Sequence, residues 1–302
     1  MEPHFSEKHR NTAFSNNVTT TLRQEPGLGR QMAGSTENYS GNSKARIENR
    51  FGRLTMQEKT ERNGDTDNTE LNSVARWIKP GRTKTVAPMI DPDDQMEVSL
   101  DLGSPAIAEV AEAAAAYHDD MLFKAFFGVA YTGESGDTPV PFKNGNIIGH
   151  GGTGLTYEKI VQVRALMRKR NAPLKREMPI WYFLPEDEAD LERMEEYKSF
   201  DYNGARPLED GELKPFMGFR WMPINPDRES LPESYDNFFE DNEQTRVNPI
   251  VFPKGMHMGI WDEFSGYIDR LPGKNQSTQY WGGSRVAGAR TDEDLAFIVK
   301  NQ

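Results

Sequence analysis

The sequence predicts an α+β protein, in which one long helix lies among many short strands. A helical pattern of apolar residues runs without interruption over residues 105–127. Short segments rich in Val, Ile, Phe, Trp and Tyr recur elsewhere in the chain, separated by turn-forming residues. Two polar regions, residues 1–45 and 46–95, precede the helix and carry too few apolar residues to form a core of their own.

The composition limits the classes of protein and of chemistry. Only 36% of the 302 residues are hydrophobic, and the mean hydropathy is −0.76, so part of the chain is expected to be solvated arm or loop. The absence of cysteine excludes disulfides and thiol nucleophiles and is consistent with a reducing cytoplasm. We see no secretory signal and no apolar run near the roughly 20 residues that cross a bilayer, which predicts a soluble intracellular protein.

The acidic residues are concentrated in one block. The net charge is −11, and residues 185–243 alone contain 18 Asp and Glu against 6 Lys and Arg. The first fifty residues are slightly basic, with 7 Lys and Arg against 5 Asp and Glu. The overall charge argues against a protein that wraps nucleic acid by neutralising phosphates. The asymmetry predicts two surfaces with different neighbours.

The N-terminal region predicts an arm followed by a hairpin. Residues 1 to about 50 show no helical or strand period, so they form either a disordered tail or an extended arm that becomes ordered against a partner chain. The β-prone segments 50–59 and 73–90 flank a polar tip whose Asn63-Gly64-Asp65 is a turn signal. Together they predict a long, thin β-hairpin that must rest on another surface.

The helix predicted over residues 105–127 is the clearest element of the chain. Ser104 suits the N-cap, Pro105 the first helical position and Gly128 the position after the C-cap. A helix of this length extends roughly 35 Å, which is enough to span a domain. The apolar residues at helical spacing are Ile107, Val110, Ala111, Ala114, Tyr117, Met121, Ala125 and Phe126.

The rest of the chain alternates between helices and strands. Residues 156–170 predict an amphipathic helix with a basic end, which suits the helix dipole. Residues 178–184 predict a strand buried on both faces, and an acidic helix follows from Pro185. Further β-prone segments cover residues 216–224, 248–253, 258–271, 278–291 and 295–300.

The glycine-rich segment Gly145–Thr156 raises the possibility of phosphate binding. Leu155-Thr156 follows its last glycine where a P-loop has Lys-Ser/Thr, and no βαβ unit surrounds it, so neither nucleotide fingerprint fits. A simpler interpretation is that Thr156 caps the next helix while Leu155 and Ile160 form a hydrophobic staple. The segment then becomes a hinge-like loop without a ligand.

Three other motifs could carry chemistry, and each has a plainer interpretation. His118-Asp119-Asp120 is typical of metal sites, but adjacent helical residues diverge by about 100° and cannot share one ion. We expect Asp120 to pair with Lys124 instead. His257 between two methionines could bind copper but is more typical of a core strand. Residues 186–196 hold seven acidic groups with no pair distinguished by spacing. The lack of an active-site pattern favours a structural protein without cofactors or metals.

Several motifs, taken in order, resemble the major capsid proteins of tailed bacteriophages, in particular the podovirus-type coat family. The segment 119–137 is similar to the family's Asp-Asp, apolar run, glycine and "T-G-x-x-G" pattern. Segments 73–94, 213–232 and 267–300 are similar to three further family patterns. The chain departs from the family at Ala115-Ala116, where members often have Arg. The motif residues are Arg76, Trp77, Lys79, Asp119, Asp120, Gly128, Gly133, Trp221, Asp269, Arg270 and Arg290, which we expect at subunit interfaces or as family-motif positions.

The resemblance implies a Hong Kong 97-type capsid fold. Its parts would be an N-terminal arm (1–45), an extended β-hairpin loop (46–95), a peripheral domain (96–184) with a spine helix at 105–127, an acidic axial domain (185–255) and C-terminal strands (256–302). It also implies an icosahedral shell of hexamers and pentamers of this chain around double-stranded DNA, without sequence-specific contacts. Scaffolding, portal and decoration proteins would be partners, membranes would not, and assembly would occur in the host bacterial cytoplasm.

Two alternatives remain open from the sequence. The first is a soluble cytoplasmic enzyme that uses the loop Gly145–Thr156 to bind a phosphate or nucleotide. The second is another structural protein of the virion, such as a tail or decoration protein. Such proteins are usually rich in strands and lack a central helix of roughly 35 Å.

Overall fold

The structure, a computed structural model, describes residues 27–51, 56, 73–93, 103–195, 208–209, 212–213, 215–226 and 228–302. Its helices are α1 (Gly103–Phe127), α2 (Tyr157–Lys169) and α3 (Pro185–Arg193). Its strands are β1 (Ser35–Asn38), β2 (Ala45–Phe51), β3 (Ser73–Ile78), β4 (Lys84–Val86), β5 (Met89–Ile90), β6 (Ala130–Thr132), β7 (Thr138–Val140), β8 (Ile147–Ile148), β9 (Ile180–Phe183), β10 (Leu208–Glu209), β11 (Glu212–Leu213), β12 (Arg220–Pro223), β13 (Phe239–Glu240), β14 (Thr245–Val251), β15 (Met256–Leu271), β16 (Ser277–Arg290) and β17 (Ala296–Asn301).

The long helix α1 confirms the clearest sequence prediction, although it begins at Gly103 rather than at Pro105. Its C-terminal half carries the completely buried side chains of Leu122, Phe123 and Phe126. The helix α1 packs closely against β16 because this strand has glycine at the point of contact. A Cβ at Gly288 would lie 2.8 Å from the Cβ of Ala125, closer than side chains can pack.

A long antiparallel hairpin, β15 and β16, supports α1. Parallel β1 extends its sheet on one side, which attaches part of the N-terminal region to the hairpin. On the other side, β4 and β5 pair with β16. The sequence analysis did not predict this pairing. The antiparallel pair β2–β3 forms the base of the predicted hairpin and ends at Ile78, while the predicted tip lies outside the described residues.

A six-stranded sheet separates two apolar cores. Its strand order is β12-β9-β14-β17-β8, with β13 paired to β14. Every residue of β9 is buried, as the apolar run predicts. Ile180 and Tyr182 face the core shared with α1, whereas Trp181 and Phe183 face the core covered by α2. Because successive side chains of β9 point to opposite faces of the sheet, this one strand contributes to both cores.

The glycine-rich segment ends in the predicted helix cap. The Thr156 hydroxyl accepts the backbone N–H of Lys159, and Leu155 and Ile160 belong to one apolar cluster, as the staple predicts. The two-residue strand β8 precedes the loop and pairs in parallel with β17. Among the described residues, no helix is long and apolar enough to cross a bilayer.

The close approach at Gly288 can be tested by substitution. Gly288→Ala is expected to lower the free energy of unfolding by about 1–3 kcal/mol, because the new methyl group must push α1 away from β16. Gly273→Ala is the matched control, since a Cβ there would have no atom within 4 Å. Guanidinium unfolding followed by circular dichroism measures both variants. Equal stability of the two would show that the helix does not depend on this contact.

Candidate functional site

Asp119 on α1 holds the segment that leads into β1. Its carboxylate accepts the backbone N–H of Arg30 at 3.1 Å. Burial raises the pKa of Asp119 to about 6, although the backbone hydrogen bonds from Gly29, Arg30 and Leu28 act in the opposite direction. The predicted N-terminal arm is therefore held against α1 over residues 28–30 by backbone contacts to one side chain.

Asp120 holds a different segment, and the predicted pair with Lys124 is wrong. Asp120 is almost completely buried and accepts the Ser234 backbone N–H at 2.8 Å and the Ser234 hydroxyl at 2.7 Å. Lys124 instead bonds to the carboxylate of Glu233. The i,i+4 rule applies to an exposed helix face. It fails here because residues 233–234 cover this face of α1.

The three side chains of the His118-Asp119-Asp120 motif point to three separate partners. The His118 ring nitrogen Nε2 lies 2.9 Å from the Ser284 hydroxyl, and burial lowers the pKa of His118 to about 4. Within the described part of the chain, no group of three His, Asp or Glu side chains could hold a metal ion. The motif therefore joins β16, the N-terminal segment and the 233–234 turn to one helix.

Arg290 ends α1. Its completely buried guanidinium donates to the backbone oxygens of Ala125 at 3.3 Å, Phe126 and Gly128 at 2.6 Å. These carbonyls include helix-end groups that lack partners within the helix. Glu293 accepts from Arg290 Nε at 2.9 Å and neutralises the buried charge.

Glu293 also links this cluster to the base of the predicted hairpin. Its second oxygen lies 3.8 Å from the guanidinium of Arg76 on β3, which is 7% exposed. The sequence prediction included Arg76 and Arg290 but missed Glu293. The only signal was a carboxyl three residues after Arg290 in an acidic segment, and nothing marked it for burial.

Trp77 and the predicted glycine motif lie against one another. Trp77 Nε1 donates to the Gly133 oxygen at 2.6 Å, and the Lys44 ammonium lies 4.5 Å from the centre of the Trp77 ring. Gly136 has a φ of +81°, and a Cβ there would lie 2.7 Å from Trp77 Cγ. Gly136 therefore leaves room for the indole ring, whereas Gly133 contributes its backbone oxygen.

The remaining motif residues divide into one that is buried and three that are exposed. Trp221 stacks on Trp181 with ring centres 4.7 Å apart. Lys79, Asp269 and Arg270 are exposed, the last two near the turn between β15 and β16. The structure thus brings four motif residues together at α1 and its end, joins Trp77 to Gly133, and leaves these three at the surface.

The glycine-rich loop offers acceptors rather than donors to its interior. The side-chain nitrogen of Lys159, a residue that the sequence analysis missed, donates to the backbone oxygens of Thr153 and Gly154 at 2.8 Å each. A phosphate cradle requires the opposite arrangement, with backbone N–H groups turned inward. Nothing in the sequence separated Lys159 from an ordinary exposed lysine of α2.

Comparison with known proteins gives one family and one fold. A family model described as phage capsid protein matches residues 7–301. The mature capsid protein of bacteriophage PhiM1 is 12% identical over 92% of this chain and 88% of its own, with a TM-score of 0.64. The capsid proteins of Cyanophage Pam1 (12% identity, 92% and 93%, TM-score 0.66) and Cyanophage P-SCSP1u (12%, 90% and 86%, 0.66) are similar. Among curated protein sequences, none matches this chain.

The contribution of buried Arg290 to stability can be compared with that of Arg270 at the surface. Arg290→Met is expected to lower the free energy of unfolding by about 3 kcal/mol, because buried carbonyl groups and Glu293 lose their partner. Arg270→Met should change it by about 0.5 kcal/mol or less, since Arg270 is exposed. Urea unfolding of both variants provides the measurement. A small loss for Arg290→Met would contradict the capping role.

Asp119 predicts a specific dependence of stability on pH. Its pKa rises from an ordinary value near 3.8 to about 6 in the folded chain, so folding favours the protonated carboxyl. The contribution of the protonated Asp119 carboxyl to the stability of the folded chain is present at low pH and is lost as the pH rises through about 6. The stability of the wild type relative to Asp119→Asn should therefore fall by on the order of 2 kcal/mol between pH 4 and pH 7. A difference that does not change with pH would contradict this assignment.

Proposed function

The chain belongs to the phage capsid protein family, and from this premise we propose that it forms the hexamers and pentamers of an icosahedral phage head. The family match and the Hong Kong 97-type fold identify a major capsid protein, as the sequence predicted. The observation that carries the proposal is the family match over nearly the whole chain. Self-association into a lattice and a location in the virion follow from that role.

The division of the chain is part of the proposal. We assign residues 1–45 to the arm, 46–95 to the extended loop, 96–184 to the peripheral domain, 185–255 to the axial domain and 256–302 to the returning strands. Contacts of β1 with β15 and of β2 with β3 support an arm and a loop that have little core of their own. Such segments gain stability by lying across neighbouring subunits.

One candidate subunit contact lies beside the hairpin base, and we call it the Trp77 face. It consists of Trp77, Lys79, Val129 and Tyr131. Val129 and Tyr131 are 48% and 47% exposed, although both follow directly from the buried end of α1. Large apolar side chains grouped at a surface mark an interaction site. A second candidate is the end of the β15–β16 hairpin, where Tyr267, Asp269 and Arg270 are exposed.

The net charge of the chain is consistent with a shell that encloses DNA without binding it tightly. The net charge of −11 disfavours extensive phosphate contacts, so we propose that packaged double-stranded DNA is enclosed without sequence-specific binding. Assembly would take place in the host bacterial cytoplasm, with scaffolding, portal and decoration proteins as further partners. We propose a wholly structural role for the assembled chain, with no cofactor and no enzymatic turnover.

The Trp77 face provides the test of assembly. Tyr131→Glu is expected to abolish shells and capsomers, because it places a charge in an apolar contact, whereas Tyr131→Phe should assemble like the wild type. Negative-stain microscopy and size-exclusion chromatography of the full chain, expressed with and without the other head proteins of its phage, measure assembly. Thermal unfolding of both variants shows whether the subunit remains folded.

Two results would count against the proposal. A wild-type chain that stays monomeric under both expression conditions would overturn the capsid assembly itself. Normal shells from a folded Tyr131→Glu variant would leave the assembly intact but exclude the Trp77 face as a required contact.

A further inference from the structure

A lysine, an asparagine and an aspartate meet in the interior where α2 begins and β17 ends. The Lys159 Nζ lies 2.9 Å from the Asn301 side-chain oxygen. The Asn301 amide nitrogen lies 3.0 Å from a carboxylate oxygen of Asp187 on α3. The exposed fractions of Asn301 and Asp187 are both 0%, and that of Lys159 is 6%. One amide group is thus held between an amine and a carboxyl, away from water.

The surroundings fix the orientation of all three groups. The Asn248 amide donates to the other oxygen of Asp187 at 2.7 Å, and the Arg246 guanidinium lies 3.3 Å from the first. The Lys159 Nζ also contacts three backbone oxygens, those of Thr153, Gly154 and Lys300, the last at 3.1 Å. An ammonium has three N–H donors for these four oxygens, so all of its donors are engaged and the nitrogen is held in place beside the Asn301 side chain.

Burial moves both ionisable groups toward their neutral forms. It lowers the pKa of Lys159 to about 8, despite the nearby Asp187 carboxylate. It raises the pKa of Asp187, despite the hydrogen bond from Asn248 and the charge of Arg246. A neutral amine has the free electron pair of a nucleophile, and a protonated carboxyl can act as a general acid.

We propose that Lys159 and Asn301 form an intramolecular isopeptide bond, with Asp187 as the group that transfers protons. The Nζ electron pair attacks the Asn301 side-chain carbonyl carbon, and the bond from this carbon to Nδ2 breaks. Asp187 gives its proton to Nδ2, which leaves as ammonia, and recovers the proton that Nζ loses. Amine and amide become a new amide and ammonia, so no oxidant, reductant or cofactor is needed. The proposal does not depend on capsid assembly.

The bond would close the last strand of the chain onto α2. The two residues are 142 positions apart in sequence, so the link closes a very long loop and reduces the freedom of the unfolded chain. It would also hold β17, which pairs with both β14 and β8, in its place in the sheet. An interior strand of the six-stranded sheet would thereby be fixed covalently.

Mass spectrometry of the wild-type full chain tests the proposal without any substitution. The denatured protein should be lighter than its sequence by the mass of one ammonia. Trypsin cuts after Lys300, so Lys159 should carry a remnant that begins at Asn301, and cleavage after Lys159 should be blocked. The diagnostic product is therefore residues 144–164 with this remnant attached. Peptides cut normally after an unmodified Lys159 would overturn the proposal, even if ammonia were lost from another asparagine.

Two variants and one control test the assigned roles. Lys159→Arg keeps a cation but removes the nucleophile, and Asp187→Asn removes the acid at similar size. Both should lack the remnant or, for Asp187→Asn, form it at least tenfold more slowly, whereas exposed Lys254→Arg should retain it. Circular dichroism establishes that each variant is folded. A folded Asp187→Asn variant that forms the bond at the wild-type rate would overturn the role of Asp187.

Discussion

The end of α1 is the constraint on which much of the structure depends. A helix of 25 residues that ends inside the protein must find partners for its last carbonyl groups. Arg290 supplies them from the last position of β16, and its own charge is offset by Glu293. This arrangement fixes the position of the hairpin along the helix, because a slip by one residue would turn the guanidinium away. The glycines of β16 then allow the contact to be close.

The same helix also organises segments that have little apolar area. Asp119 and Asp120 are adjacent, yet each accepts hydrogen bonds from a different part of the chain, residues 28–30 and 233–234. Burying a carboxylate costs free energy unless its oxygens are hydrogen-bonded. The hydrogen bonds that each segment donates to its aspartate therefore fix the position of that segment against α1. The helix α1 therefore positions neighbouring segments through its polar side chains as well as through its apolar ones. This explains how residues 28–30 and 233–234, which bury little apolar area, keep fixed positions in the subunit.

Local elements could be predicted from the sequence, and contacts between distant residues could not. The helix α1, the buried strand β9 and the Thr156 cap follow from periodicity, apolar runs and end signals, each of which operates within a few residues. The pairing of Asp120 with Lys124 was wrong because the local rule takes no account of the segment that covers the helix. The pairing of β4 and β5 with β16 could not be predicted, for a related reason. Their polar, β-prone sequence is compatible with either neighbour, and the choice of β16 depends on the tertiary fold.

Lys159 shows most clearly why a site can escape sequence analysis. Its neighbours in sequence give it the position of an ordinary charged residue in the first turn of α2. Its hydrogen-bond partners come from the loop before the helix and from β17. Only the fold brings an amine, an amide and a carboxyl together in a dry interior, and only there do their pKa values approach each other. The proposed bond would hold β17 in the six-stranded sheet, where the fold otherwise relies on hydrogen bonds and apolar packing. The glycine-rich loop serves that end by letting its carbonyl groups fold inward around the lysine.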